Sequence, residues 1–160
     1  MRMIIFSIAM VLAFSACSSQ KKAATTENKN SATQDTTTVI VFERGVCYGK
    51  CPAYKVKIKA NGEATYNGKT FASYQGLHKA QFSQEEIKKI LDKALAVKFF
   101  DMNDNYDAGA TDLPRVTTSI TYNKHTHTVT ARGKIPEGLK ELNNMIDEMI
   151  QSKEWKKAEE

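Results

Sequence analysis

Much of what would mark a familiar enzyme is missing from these 160 residues. There is no glycine-rich phosphate loop, no dinucleotide fingerprint, no nucleophile elbow and no zinc-protease helix. Catalysis loses support without being closed off, because triads assemble in space rather than in sequence. There is no internal repeat. Beyond residue 16, no apolar run approaches membrane-spanning length. The positive charge, formally +5, is spread over lysine-rich faces and forms no concentrated basic footprint, which argues against nucleic acid as a partner. Cysteine is scarce: three in all, at 17, 47 and 51.

What is present begins with MRMIIFSIAMVLAFSAC. Arg2 is a short positive region and Met3 to Phe14 an apolar one, too short to span a bilayer. Ser15 and Ala16 then precede Cys17. This resembles a bacterial lipoprotein signal, in which the leader is cut just before a cysteine carrying a diacylglycerol thioether. Phe14 stands where such signals usually place Leu. The alternative is an ordinary secretory leader cut without lipid. The reading therefore assigns 1–16 to a signal peptide and makes Cys17 the lipidated residue. Acylated in this way (palmitate being a usual chain), the protein's membrane contact is the lipid on Cys17. Ser18 rather than Asp after the cysteine implies the outer membrane, facing the periplasm. Loss of Arg2 takes the net charge from +5 to +4.

Residues 17–37 form the lipidated cysteine and a tether. SSQKKAATTENKNSATQDTTT is polar and has no aromatic or large aliphatic side chain, so it cannot offset its ordering entropy by burial. A single globular domain is expected over 38–160.

That domain reads as α+β. VIVF (39–42) is a β-type run. In YKVKIKA (54–60), Tyr54, Val56 and Ile58 alternate with Lys55, Lys57 and Lys59, the pattern of a half-buried strand. Asn61-Gly62 signals a hairpin into EATY (63–66), and Asn67-Gly68 a second turn into KTFASY (69–74). Ser83 and Glu86 fit a capping box, followed by Ile87, Ile90, Leu91 and Ala94 at helical spacing. Phe99 and Phe100 look like core anchors. RVTTSITY (115–122) and HTHTVTA (125–131) predict a hairpin across Asn123-Lys124. The closing helix carries Leu139, Leu142, Ile146 and Met149 as its buried stripe, with Trp155 tucking in the tail. The expectation is an antiparallel sheet of about five to six strands, an N-terminal meander plus a later hairpin, with two helices on one face.

RGVCYGKCPAYKVKIKANGEATYNG, the capped helix ending in FF, TDLP and the final helix ending in Trp together resemble a domain family of unknown function. That family occurs in small lipoproteins of Bacteroidetes-type bacteria. The most specific stretch is RGxCxGxCPxY, here Arg44, Gly45, Cys47, Gly49, Cys51, Pro52 and Tyr54. The resemblance implies the fold, the compartment and one domain; it implies no activity.

Four constellations are candidates for chemistry. Cys47 and Cys51, an even and closely spaced pair in an oxidising envelope, read as a structural disulfide. The sharper alternative is copper or zinc handling, or thiol redox. Cys-x-x-x-Cys-Pro is similar to the motif of thioredoxin-fold copper chaperones, and soft thiolates with an imidazole from His125 or His127 suit such a metal. The strand pattern after Pro52 does not fit that fold, where a helix follows. His125 and His127 share one strand face, for which a plain polar hairpin start is the bland reading. Asp101, Asn103, Asn105, Asp107 and Asp112 have spacing reminiscent of a calcium loop, but Tyr106 sits where a sharp turn wants Gly. Last, Lys55, Lys57 and Lys59 form a face that would meet an acidic glycan, lipid or protein.

No cofactor is expected, and the chain reads as a monomer with an envelope protein or glycan as its possible partner. The function favoured by the sequence is a non-catalytic binding or interaction module with a structural disulfide. The alternative is the metal-handling or thiol-redox lipoprotein.

Overall fold

The computed structural model describes residues 37–159. The expected signal peptide, Cys17 and nearly all of the expected tether therefore lie outside the described residues. In chain order the elements are β1 (Thr38–Arg44), β2 (Tyr54–Lys59), β3 (Glu63–Gly68), β4 (Gly76–Gln81), α1 (Gln84–Ala96), β5 (Asn105–Asp107), β6 (Val116–Tyr122), β7 (His125–Arg132), α2 (Glu137–Gln151) and β8 (Lys156–Lys157). The strands make one open sheet in the order β5-β7-β6-β1-β2-β3-β4-β8.

The α+β class and the two helices agree with the sequence reading. The strand count does not: the sheet has eight strands, not five to six, and it is mixed, because β5 runs parallel to β7. The two additions are three and two residues long, too short to carry a period-two signal. A second correction concerns Asn67-Gly68. It is not a turn but the last two residues of β3, and Gly68 pairs with Gly76. Glycine is needed there for close approach, since a Cβ would collide with the Tyr74 carbonyl oxygen. KTFASY is accordingly connection rather than strand, and the fourth strand is GLHKAQ.

Alternation decides which face is buried. Ile40 and Phe42, Tyr54, Val56 and Ile58, Ala64 and Tyr66, Ile120, Val129 and Ala131 point to one side. There they join Ile87, Ile90 and Ala94 of α1 and Leu139, Leu142, Ile146 and Ile150 of α2 in one apolar core. The other sheet face carries Lys, Thr, Ser and Glu and, among the described residues, bears no helix. The α1 start is as expected: the Ser83 hydroxyl accepts from the Glu86 N–H at 3.2 Å, and the Glu86 carboxylate accepts from the Ser83 N–H at 2.8 Å. Phe99 is fully buried in a single 3-10 turn after α1, while Phe100 is half-buried. Asn123 and Lys124, both at positive φ, make the tight β6–β7 turn. Trp155 is buried and donates from Nε1 to the Ile150 carbonyl at 2.9 Å. Met149 is only half-buried; Ile150 takes its place in the stripe.

Candidate functional site

The stretch RGVCYGKCPAY leaves β1 at Arg44 and enters β2 at Tyr54. Cys47 and Cys51 are joined by a disulfide with their Cα atoms 5.7 Å apart. Closing so short a loop needs an unusual backbone at its middle, and Gly49 supplies it at φ 153. The roots of the loop are tied to its neighbours. Gly45 N–H donates to the Arg115 carbonyl at 2.7 Å, and Tyr48 N–H to the Thr111 carbonyl at 3.0 Å. Ala53 exchanges two backbone bonds with the β3–β4 connection, accepting from Lys69 at 2.8 Å and donating to Thr70 at 3.0 Å.

Beneath the loop, the first and last residues of the motif meet on one carboxylate. Arg44 Nη1 pairs with Asp147 Oδ2, and the Tyr54 hydroxyl donates to Asp147 Oδ1. Gln151 Nε2 adds a longer bond to Oδ1, at 3.4 Å. Tyr54 is fully buried and stacks on Tyr66, ring centroids 5.0 Å apart. Burial, then the hydrogen bond to Asp147 and its negative charge, push the Tyr54 phenol far above its ordinary range. It is therefore a neutral donor at any physiological pH. Burial likewise raises Tyr66, to about 12. The cluster ties two strands to α2; its acid group is already taken by three partners.

On the opposite face of the sheet, Asp107 of β5 performs the same service for the other side of the loop end. Its Oδ1 accepts from Arg132 Nε at 2.7 Å and from the Gly109 N–H at 2.9 Å. Its Oδ2 accepts from Arg115 Nη2 at 2.8 Å and Nε at 3.0 Å, and from Arg132 Nη2 at 3.0 Å. The Arg132 bonds, then the Gly109 amide, hold this carboxyl well below the usual range.

Between these two braces, three of the motif's four variable positions face solvent, and the fourth, Ala53, is buried. Tyr48 is 91% exposed and Val46 67%, and Lys50 is exposed as well. Phe71 and Leu113, from the two connections that flank the loop, are also exposed.

The remaining predicted residues are placed as follows. His127 lies opposite Ile120, which lies opposite Ile40. The cysteines lie beyond Arg44, four residues further along β1, so about 13 Å or more separates them from the histidines. The His127 ring packs edge-on against Phe99, its Nδ1 sits 3.8 Å from Asp104, and its Nε2 is buried without a hydrogen-bond partner. His125 is exposed beside Phe100. Among the described residues, no three His, Cys, Asp or Glu side chains gather as a metal-holding group. In the acidic stretch, Asn105 Oδ1 accepts the Asp107 N–H and Asp107 is taken by two arginines. Asp101, Asn103 and Asp112 are exposed, with no side chain reaching that carboxylate. Of the lysine face, Lys55 pairs with Glu43 and Lys59 with Glu63, and Lys57 is exposed.

The sequence reading missed Asp147 and Asn143. Both fall on the apolar stripe of α2, at 139, 142, 143, 146, 147 and 150, and a polar residue at a stripe position was the available signal. Asn143 is buried and accepts from the Thr118 hydroxyl at 2.7 Å. Residues 38–150 match a family described as a domain of unknown function, DUF6438. No curated protein matches the chain.

Proposed function

The chain belongs to the DUF6438 family, and from that premise we propose that it is a non-catalytic recognition module carried on an envelope lipoprotein. The observation that carries this reading is the division of labour within RGVCYGKCPAY. Arg44, Gly45, Cys47, Gly49, Cys51 and Tyr54 are all engaged in holding the loop. Among the described residues, the side chains of Val46, Tyr48 and Lys50 make no hydrogen bond or ion pair, and they are presented to solvent on a loop closed by the disulfide. A rigid loop loses little entropy when it docks, and an exposed aromatic is the kind of side chain that anchors an interface.

The chain enters the domain at Thr38, at the end of β1 away from the loop. A lipid on Cys17 would thus leave the loop end open to a partner in the envelope. In this proposal residues 1–16 are the signal peptide, the outer membrane is the site, and the module acts as a monomer. The partner is an envelope protein or glycan, and the lysine face is a second surface for it. The metal-handling reading is not carried forward, because the sulfurs are bonded to each other and the histidines stand at the other end of the strands.

Two tests apply. Labelled palmitate should enter the full chain and be lost in Cys17→Ser. A photoreactive phenylalanine analogue in place of Tyr48 should give a discrete adduct in intact envelopes, and the same analogue in place of Lys124, on the turn at the opposite end, should not. Equal labelling from both positions would end the loop reading.

A further inference from the structure

A cavity of about 290 Å³ opens on the helix-free face of the sheet at its loop end, lined by Glu43, Gly45, Val46, Arg115, Thr117 and Arg132. Its charges do not cancel. Arg115 and Arg132 bring two guanidinium groups, and Asp107 answers with one carboxylate. Glu43 is already paired with Lys55 at 2.8 Å. One positive charge is left over. Both arginines use Nε and Nη2 on Asp107, so among the described residues the Nη1 donors of each remain uncommitted. Guanidinium donors of this kind suit a carboxylate, and the Glu43 carboxylate in the wall opposes a doubly charged phosphate.

From this cavity a double row of hydroxyls runs along the sheet. Thr117, Ser119 and Thr121 alternate down β6 from Arg115, and Thr130, Thr128 and Thr126 run beside them from Arg132. They bond in cross-strand pairs: Thr117 with Thr130 at 3.2 Å, Ser119 with Thr128 at 2.8 Å and Thr121 with Thr126 at 2.8 Å. Each pair uses one hydrogen, so each keeps one O–H to donate and has lone pairs to accept. The rows are therefore a regular array of donors and acceptors about 6.7 Å apart along each strand.

Resting on the recognition-module reading, we infer that the outer face of β6 and β7 takes an acidic carbohydrate. A sugar carboxylate enters the Arg115–Arg132 cavity, and the sugar hydroxyls lie on the Thr/Ser rows. The exposed Val46 at the rim contacts the apolar face of the first ring.

The test is calorimetry on the full chain in detergent with tetragalacturonate as probe. Maltotetraose supplies the hydroxyls without the charge, and tetraglutamate the charge without the hydroxyls. Saturable binding is expected for tetragalacturonate, with each control at least about tenfold weaker. Arg115→Gln should weaken binding about tenfold, and Thr128→Val, which touches no cavity group and suits a strand, about threefold. Thr128→Val keeps the test decisive if Arg115→Gln also disturbs the loop end. No saturable binding of tetragalacturonate, equal binding of tetraglutamate, or unchanged affinity in both variants would overturn the inference. If those results come with a discrete adduct at position 48, the recognition loop stands and only the carbohydrate assignment falls. If the adduct is missing as well, both fall.

Discussion

Tyr54, the first residue of β2, donates its hydroxyl to Asp147 of α2 and so fastens the end of the disulfide loop to the helix beneath it. The same carboxylate takes Arg44 from the last position of β1. Removing the carboxylate leaves a guanidinium and a buried phenol without their partner. Asp147→Ala should therefore cost about 2–3 kcal/mol. Tyr54→Phe, which loses only one neutral donor, should cost about 1 kcal/mol. Urea unfolding of the three proteins gives the comparison, and equal midpoints would mean that the cluster holds nothing.

Asn143 is a polar residue in the core stripe of α2, and among the described residues its side chain bonds the Thr118 hydroxyl. Asn143→Ala should cost about 1–3 kcal/mol, because it strands a buried hydroxyl. The pair Thr118→Val with Asn143→Leu should recover most of that loss, since an apolar pair of similar shape needs no partner. Additive losses in the double variant would contradict this account of the pair.

The disulfide encloses a short loop, so its effect through the unfolded chain is modest. Cys47→Ser should lower stability by about 2 kcal/mol and leave the domain folded. The double variant with Cys51→Ser should behave alike. Thermal unfolding with and without reductant separates the bond from the side chains, because reductant should lower the melting point of the parent and leave the variants unmoved.

Asp107 sets an acid-side dependence. Its folded carboxyl is held below the unfolded value of about 3.9, so its contribution is present above that pH and is lost as pH falls through the folded value. The stability gap between the parent and Asp107→Asn should be constant above about pH 5 and shrink below about pH 4. A gap that held its size down to pH 3 would show that the ionised pair with Arg132 and Arg115 does not stabilise the fold.

The sequence showed its longer regularities well. Three apolar and three lysine side chains alternating over 54–59, the Ser83–Glu86 capping box and the Asn123-Lys124 turn each obey a local rule that the tertiary structure does not override. The misses have separate causes. β5 and β8 exist only as additions to edges already formed, so nothing in their own two or three residues announces them. Gly68 was ambiguous because glycine serves both turns and close contacts, and here it serves the Tyr74 carbonyl. Of the site, the cysteine pair and the motif were visible, but the groups that brace them were not. Asp147 is 103 residues from Arg44 and Asp107 is 25 from Arg132, and no short pattern links them.

In the proposed module, Arg44, Gly45, Cys47, Gly49, Cys51 and Tyr54 hold the fold while Val46, Tyr48 and Lys50 serve the partner. The most direct measurement compares the melting temperature and envelope binding of a triple variant, Val46→Ser, Tyr48→Ser and Lys50→Ser, with those of Cys47→Ser. The triple variant should melt close to the parent, each surface change costing no more than the usual ~0.5 kcal/mol, and should lose binding. A triple variant that melts as low as Cys47→Ser, or that binds as the parent does, would contradict this division of roles.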